Sequence, residues 1–135
     1  MTRPLTQIGL AVKRLQHRHH RGGDAALAAL GLTLVQWDAL RHIAENPGAS
    51  LHDLAQLTFQ TDQSFGTLAV RLVDRGLIER VPGPGRAVRH RITAKGDRVR
   101  VEARKVLSGV LAETFDRLSA EEQQSFGDLL AKLLD

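Results

Sequence analysis

Gln63, Ser64, Thr67 and Arg71 share one side of a helical repeat whose other side is Phe65, Leu68, Ala69 and Leu72. The apolar side must pack inward, so the amide, the two hydroxyls and the guanidinium project outward. Near a helix N-terminus, side chains of these types can hydrogen-bond base edges in a DNA major groove. An amide pairs bidentately with adenine, and a hydroxyl serves several bases. A second group of polar side chains follows in the chain. Arg86, Arg89 and Arg91 flank the sequence PGPG, which reads as a hairpin tip. Arginines in that setting suit phosphates or a narrow minor groove. The expected division of labour is base reading by Gln63, Ser64 and Thr67. Arg71, Arg86, Arg89 and Arg91 then hold the backbone or the minor groove.

The overall charge is only weakly informative. The 135-residue chain carries 19 Lys and Arg against 15 Asp and Glu, a formal net charge of +4. Its distribution says more. Arg71 to Arg100 contains nine Lys or Arg and three acids, Asp74, Glu79 and Asp97. A clustered positive field speeds encounter with a polyanion and neutralises phosphates. An acidic protein surface would suit the same arginines, so a protein-interaction module is the alternative reading. An enzyme is disfavoured. The chain has no H-E-x-x-H motif and no nucleophile elbow, and the glycines of PGPGR lack the strand-to-helix context of a phosphate loop.

Cysteine is absent, which excludes disulfides, thiolate metal sites and thiol-based peroxide sensing. The start of the chain has no long apolar run, and no stretch approaches the ~20 apolar residues that span a bilayer. A cytoplasmic protein without membrane or cofactor is the expectation. His17, His19 and His20 lie close together, but the expectation is a solvated helix end rather than a metal site. His19 continues an apolar series and is expected half-buried. His90 is expected to face solvent or a phosphate.

The elements that must position these groups are mostly helical. Leu5, Ile8, Val12 and Leu15 mark a leading amphipathic helix. It is expected to kink or break at Gly22-Gly23, since each glycine costs ~1 kcal/mol in a helix interior, and to resume from Ala25 to Leu30. Thr33 and Gln36 have capping-box spacing, with Leu32 and Trp37 placed as a hydrophobic staple. Asn46-Pro47-Gly48 ends that helix. Ser50 caps a short helix with Leu51, Leu54, Ala55 and Leu57 inside. A polar break from Thr58 to Asp62 leads to the helix of Gln63, with Asp62 as its expected cap. Trp37 and Phe59 are expected in the core.

Gly76 stops the Gln63 helix. Leu77-Ile78 and Val88 to Ile92 read as strands of a hairpin. Arg75 or Arg80 is expected to pair with Asp74 or Glu79. Thr93 caps a long helix whose apolar stripe, Val99 to Leu118, is wider than one neighbour needs. Ser119 and Glu122 open a last helix with Phe126, Leu129, Leu130, Leu133 and Leu134. The fold class that follows is mainly α with a small two-stranded β-wing. A winged helix-turn-helix lobe spans residues 32–95. An N-terminal dimerisation helix, 1–31, and C-terminal dimerisation helices, 96–135, flank it.

Four stretches, LTLVQWDALRHI, LHDLAQLT, RLVDRGLIER and RAVRHRITAKG, resemble the MarR family of winged-helix transcription regulators. The resemblance is strong from Leu32 to Gly96. It implies a homodimer in which the first and last helices interlock and a pseudo-palindromic double-stranded DNA site is bound, usually for repression. It also implies release by a small phenolic or lipophilic effector lodged between the leading helices and the DNA-binding lobe. The family's wing tip often carries an Asp near its arginine. Here the tip is PGPGR, with no Asp.

Overall fold

The computed structural model describes residues 2–85 and 87–135. Arg86 therefore lies outside the described residues. The element order is α1 (Leu5–Leu27), a single 3-10 turn (Ala28–Leu30), α2 (Leu34–Glu45), α3 (Leu51–Leu57), α4 (Asp62–Asp74), β1 (Ile78–Pro82), β2 (Val88–Ile92), α5 (Ala94–Phe115) and α6 (Ala120–Leu134). This is the expected mainly helical fold with a two-stranded antiparallel wing.

Local side-chain chemistry starts the helices where the sequence places it. Thr33 and Gln36 form a reciprocal capping box on α2, and Ser119 and Glu122 form one on α6. Ser50 and Asp53 do the same for α3. Thr93 caps α5 through the Gly96 N–H, and its hydroxyl also donates to the Gly76 carbonyl at 2.6 Å. Each cap satisfies N–H groups that a helix start leaves without partners. On α4 the cap is Thr61, not Asp62. The Thr61 hydroxyl accepts from the Ser64 N–H, and Asp62 becomes the first helical residue.

The expected break at Gly22-Gly23 does not occur, and α1 runs unbroken to Leu27. The reason is tertiary. A Cβ on Gly22 would lie 3.0 Å from Val110 Cγ1, and one on Gly23 would lie 3.2 Å from Leu107 Cδ2. The two glycines admit α5, and that packing outweighs their poor helix propensity. The chain then turns at Gly31, whose φ of 69° is left-handed.

The core is built from Leu27, Leu40, Leu54, Phe65, Leu72, Leu77 and Ile78, joined by Ala103 and Leu107 of α5. It lies among α2, α3, α4 and β1, with α5 closing one side. Gly76, at φ 73°, turns the chain from α4 into the wing. Ile78 pairs with Ile92, Arg80 with His90, and Pro82 with Val88. The first strand is thus longer than expected and runs into the tip. Proline is tolerated at this final pair because the sheet has only edge strands. No helix among the described residues is long and apolar enough to cross a membrane.

Candidate nucleic-acid interface

Helix α4 buries Phe65, Ala69 and Leu72 against the core. That fixes its opposite face. Gln63, Ser64, Thr67 and Arg71 are all exposed there, as their spacing requires. With Thr33 and Gln36 at the start of α2, they line one open cleft of about 540 Å³. The four residues therefore form one continuous polar surface on the first three turns of α4.

Hydrogen bonding already sets what two of them can offer. The Ser64 hydroxyl donates to Gln60 Oε1 at 3.2 Å, and the Thr67 hydroxyl donates to the Gln63 carbonyl at 3.1 Å. Their protons are engaged, so each presents lone pairs. Such groups accept from exocyclic amines, those of adenine and cytosine in the major groove. The Gln63 side chain makes no hydrogen bond among the described residues and keeps both donor and acceptor capacity. Asp62 sits beside this surface, and its carboxylate accepts from His52 Nδ1 at 2.9 Å. That contact ties the start of α4 to α3.

The wing brings further cations to the same lobe. Arg89 has no carboxylate within salt-bridge distance among the described residues, and neither has Arg71. Arg91 differs. It donates from Nε to Glu79 at 2.8 Å, and its terminal nitrogen reaches the same oxygen. The pair follows from the strand register, which sets Glu79 opposite Arg91. Both side chains are exposed, and an exposed pair of this kind contributes only ~0–1 kcal/mol. The expected partners of Arg75 and Arg80 are not found. Arg75 reaches Gln36 of α2 at 3.5 Å, and Glu79 is held by Arg91 instead. The Arg86 position lies outside the described residues.

Two aromatic or histidine positions, His90 and Phe59, depart from expectation. His90 does not face solvent. It is the middle residue of β2, only 8% exposed, and its Nδ1 has no hydrogen-bond partner among the described residues. Burial, with Arg80 across the strand pair adding, pushes its pKa below the ordinary histidine value. Phe59 is not in the core. It follows α3 at a left-handed φ of 57° and is 97% exposed, whereas Trp37 does pack against the core. His19 is half-buried as expected, its ring tilted against Phe115 with centroids 5.3 Å apart. Its neighbour His20 lies 3.4 Å from Asp24, one helical turn on.

Asp53 shows how the lobe is tied together. The Ser50 backbone N–H and side chain hold its carboxyl below the usual range, with smaller help from His52 and Arg89. Ser50 also forms a β-bridge to Arg89. The start of α3 and the wing are therefore coupled, and sequence periodicity carried no sign of that contact.

Comparison with known proteins agrees with this geometry. The MarR family model matches residues 30–87. The HTH-type transcriptional repressor Rv2887 of Mycobacterium tuberculosis is 34% identical over 112 residues, covering 82% of this chain and 81% of the relative. The crystal structure of the M. tuberculosis MarR family protein Rv2887 in complex with DNA is 30% identical. It covers 98% of each chain with a TM-score of 0.82. Its complex with p-aminosalicylic acid is 31% identical, with a TM-score of 0.82 over 98% of this chain and all of the other. Identity at that level along most of both sequences places the chain in the MarR family.

Proposed function

We propose that the protein is a homodimeric transcription regulator that reads a pseudo-palindromic double-stranded DNA site, acts as a repressor and is released by a small phenolic or lipophilic effector. The observation that carries this reading is the exposed row Gln63, Ser64, Thr67 and Arg71 on a helix whose opposite face is locked into the core. Gln63, Ser64 and Thr67 read bases. Arg71 and Arg89, free of carboxylate partners among the described residues, hold phosphates or the minor groove. Arg86 is assigned the same role by its place beside the tip. Arg91 exchanges Glu79 for the backbone. The relative's complexes with DNA and with p-aminosalicylic acid support both the ligand and the effector.

The dimer is supported by what α1 and α6 leave uncovered. Leu5, Ile8 and Val12 on α1, and Leu129, Leu133 and Leu134 on α6, are exposed apolar side chains. Residues 1–31 and 96–135 are accordingly the dimerising parts, and 32–95 the DNA-binding lobe. A twofold axis then presents two α4 helices to successive major grooves about one DNA turn apart. The protein works in the cytoplasm and catalyses no reaction.

A mobility shift at two salt concentrations, on DNA selected from a random pool, tests the reading. Binding should prefer the selected site over bulk DNA, and the selected site should be symmetric. Raising salt from 50 to 200 mM should weaken binding steeply, by ~10³-fold or more for several phosphate contacts. Salt-insensitive association, or no enrichment of any site, would overturn it in favour of a protein partner.

A further inference from the structure

We propose that Asp62, held by His52, reads a cytosine in the major groove, and that Gly66 clears its approach to the base. The inference rests on the DNA-binding reading above. It extends the reading row by one residue, to the flank of α4 that meets α3.

Four helices carry an acid in their first turn, and in three of them that acid serves its own helix. Asp53 completes the capping box of α3, and Glu122 that of α6. Asp97 accepts from Arg100 within α5 at 2.7 Å. Asp62 differs. The cap of α4 is Thr61, and the Asp62 carboxylate instead meets Nδ1 of His52 on α3, at 2.9 Å and 3.1 Å to its two oxygens. A helix dipole favours an acid at this position whatever holds it, so the dipole does not call for a partner on another helix. An ionised carboxylate only accepts, which puts the proton on Nδ1. Both side chains are more than half exposed, so the contact contributes little to stability. What it does is set the direction of the carboxylate. One N–H occupies only part of the four lone-pair positions, and the others stay open to a second donor.

In a helix-turn-helix the N-terminal residues of the second helix meet base edges, while the first helix crosses the backbone. Asp62 is the first residue of α4, directly before Gln63. A group that only accepts discriminates sharply among the bases. Guanine presents two acceptors to the major groove, thymine an acceptor and a methyl, and adenine an acceptor beside its amine. Cytosine presents a donor alone. The same negative charge is repelled by every phosphate, so it penalises DNA that lacks the cytosine. Consecutive residues are ~3.8 Å apart and base pairs ~3.4 Å, which puts the cytosine within about two pairs of the position that Gln63 reads.

Gly66 lies one turn beyond Asp62 on the same side of α4. Glycine is the poorest helix former after proline, and neither its backbone nor its neighbours require it here. Its φ is not left-handed. A Cβ would meet only Leu51 Cδ1, at an ordinary 3.8 Å. Gly22 and Gly23 admit another helix of the fold, whereas Gly66 leaves bare backbone where the protein itself has room for a side chain. A base pair drawn up to Asp62 takes that room.

Selection of DNA from a random pool by the full-length protein and by variants tests the proposal. The wild-type site should carry one cytosine per half-site that Asp62→Ala no longer selects. Asp62→Asn, whose amide pairs bidentately with adenine, should select adenine there. Both variants should bind random DNA at least threefold more tightly than wild type, with the gain shrinking as salt rises. His52→Ala should relax the same position and no other, and should add nothing to Asp62→Ala at that position. His52→Gln can still donate to the carboxylate and should keep the cytosine. Gly66→Ala should weaken binding to the selected site at least threefold with no fall in the urea midpoint. If Asp62 only ties α4 to α3, its variants will weaken all DNAs alike and leave every selected base unchanged. That result, with Gln63→Ala still altering the site, would overturn the proposal and leave the DNA-binding reading standing. A wild-type chain that enriches no site fails both.

Discussion

In the winged lobe the apolar residues are inside. Leu40, Leu54, Phe65, Leu72, Leu77 and Ile78 are each 1% exposed or less, whereas α6 buries none of its residues and leaves Leu129, Leu133 and Leu134 at 60%, 78% and 84%. Both regions have well-capped helices and comparable amphipathic patterns. The difference is that the lobe finds its partners within the chain and α6 does not. Local helix signals are equally good in both, so they do not tell an intramolecular face from an intermolecular one. What separates the regions is packing. In the function proposed above, the same contrast divides their roles: the lobe offers a polar surface to DNA, and the ends offer apolar surface to a second copy.

The largest effect that would sharpen this contrast comes from two glycines. A Cβ on Gly96 would lie 1.9 Å from the Leu77 carbonyl oxygen, backbone that cannot step aside. Gly96→Ala should therefore destabilise the lobe by more than ~3 kcal/mol, at the severe end for overpacking. Gly127, in α6, has nothing within 4 Å of its Cβ position. Gly127→Ala should be neutral or stabilising by up to ~1 kcal/mol. Urea unfolding of both variants checks this, and equal losses would show that the ends are as tightly packed as the lobe.

A second test breaks the dimer rather than the core. Full burial of a leucine contributes ~1.5–3 kcal/mol, and Leu129 and Leu133 offer two per chain. Leu129→Asp with Leu133→Asp should weaken self-association by about 3 kcal/mol or more, read by sedimentation equilibrium, while the lobe stays folded by near-ultraviolet circular dichroism. A wild-type chain that is monomeric at high concentration would remove the comparison altogether.

The same contrast explains what could be read in the sequence. The caps at Thr33, Ser50, Thr93 and Ser119 were legible because a cap is made by residues three apart. The exposed row on α4 was legible because Phe65, Ala69 and Leu72 leave it only one way to face. The unbroken α1 was not, since Gly22 and Gly23 make sense only once Val110 and Leu107 are known to approach them. His90 was misplaced because its polar type points outward, whereas strand alternation sets it on the face of Val88 and Ile92, opposite Arg89 and Arg91. Phe59 was misplaced because an aromatic residue usually goes inside, while here the turn sets it in a left-handed conformation facing out. The Arg91–Glu79 pair needed the strand register.

A third test asks whether the α4 row divides as its hydrogen bonds suggest. Gln63→Ala should cost ~1–3 kcal/mol on the selected site and much less on random DNA. Arg71→Ala should weaken both DNAs alike and reduce the salt slope by about one. Competition binding on the two DNAs separates the cases. The reverse pattern, with Gln63 uniform and Arg71 selective, would mean that α4 enters the groove on a different face.

The smallest effect is pH-dependent, and each region holds one histidine that should report it. His90 lies inside the wing. His19 lies where α1 meets α5 and α6, against Phe115, which is itself 6.0 Å from Phe126. Burial lowers both pKa values below the ordinary 6.5, with Arg80 adding at His90 and Arg18 at His19. The folded state therefore binds these protons less readily than the unfolded chain does. Stability is fully present above pH 6.5 and falls as the pH drops from there toward each folded-state value. One proton sets a ceiling of ~1.4 kcal/mol per pH unit. His90→Leu should flatten the acid dependence of lobe unfolding, measured by urea midpoints at pH 7.0 and 5.5. His19→Leu should flatten the acid dependence of unfolding as well, because its shift also arises within one folded chain, where α1 meets Phe115. A His90→Leu chain with the full wild-type slope in urea would place the acid-sensitive group outside the wing.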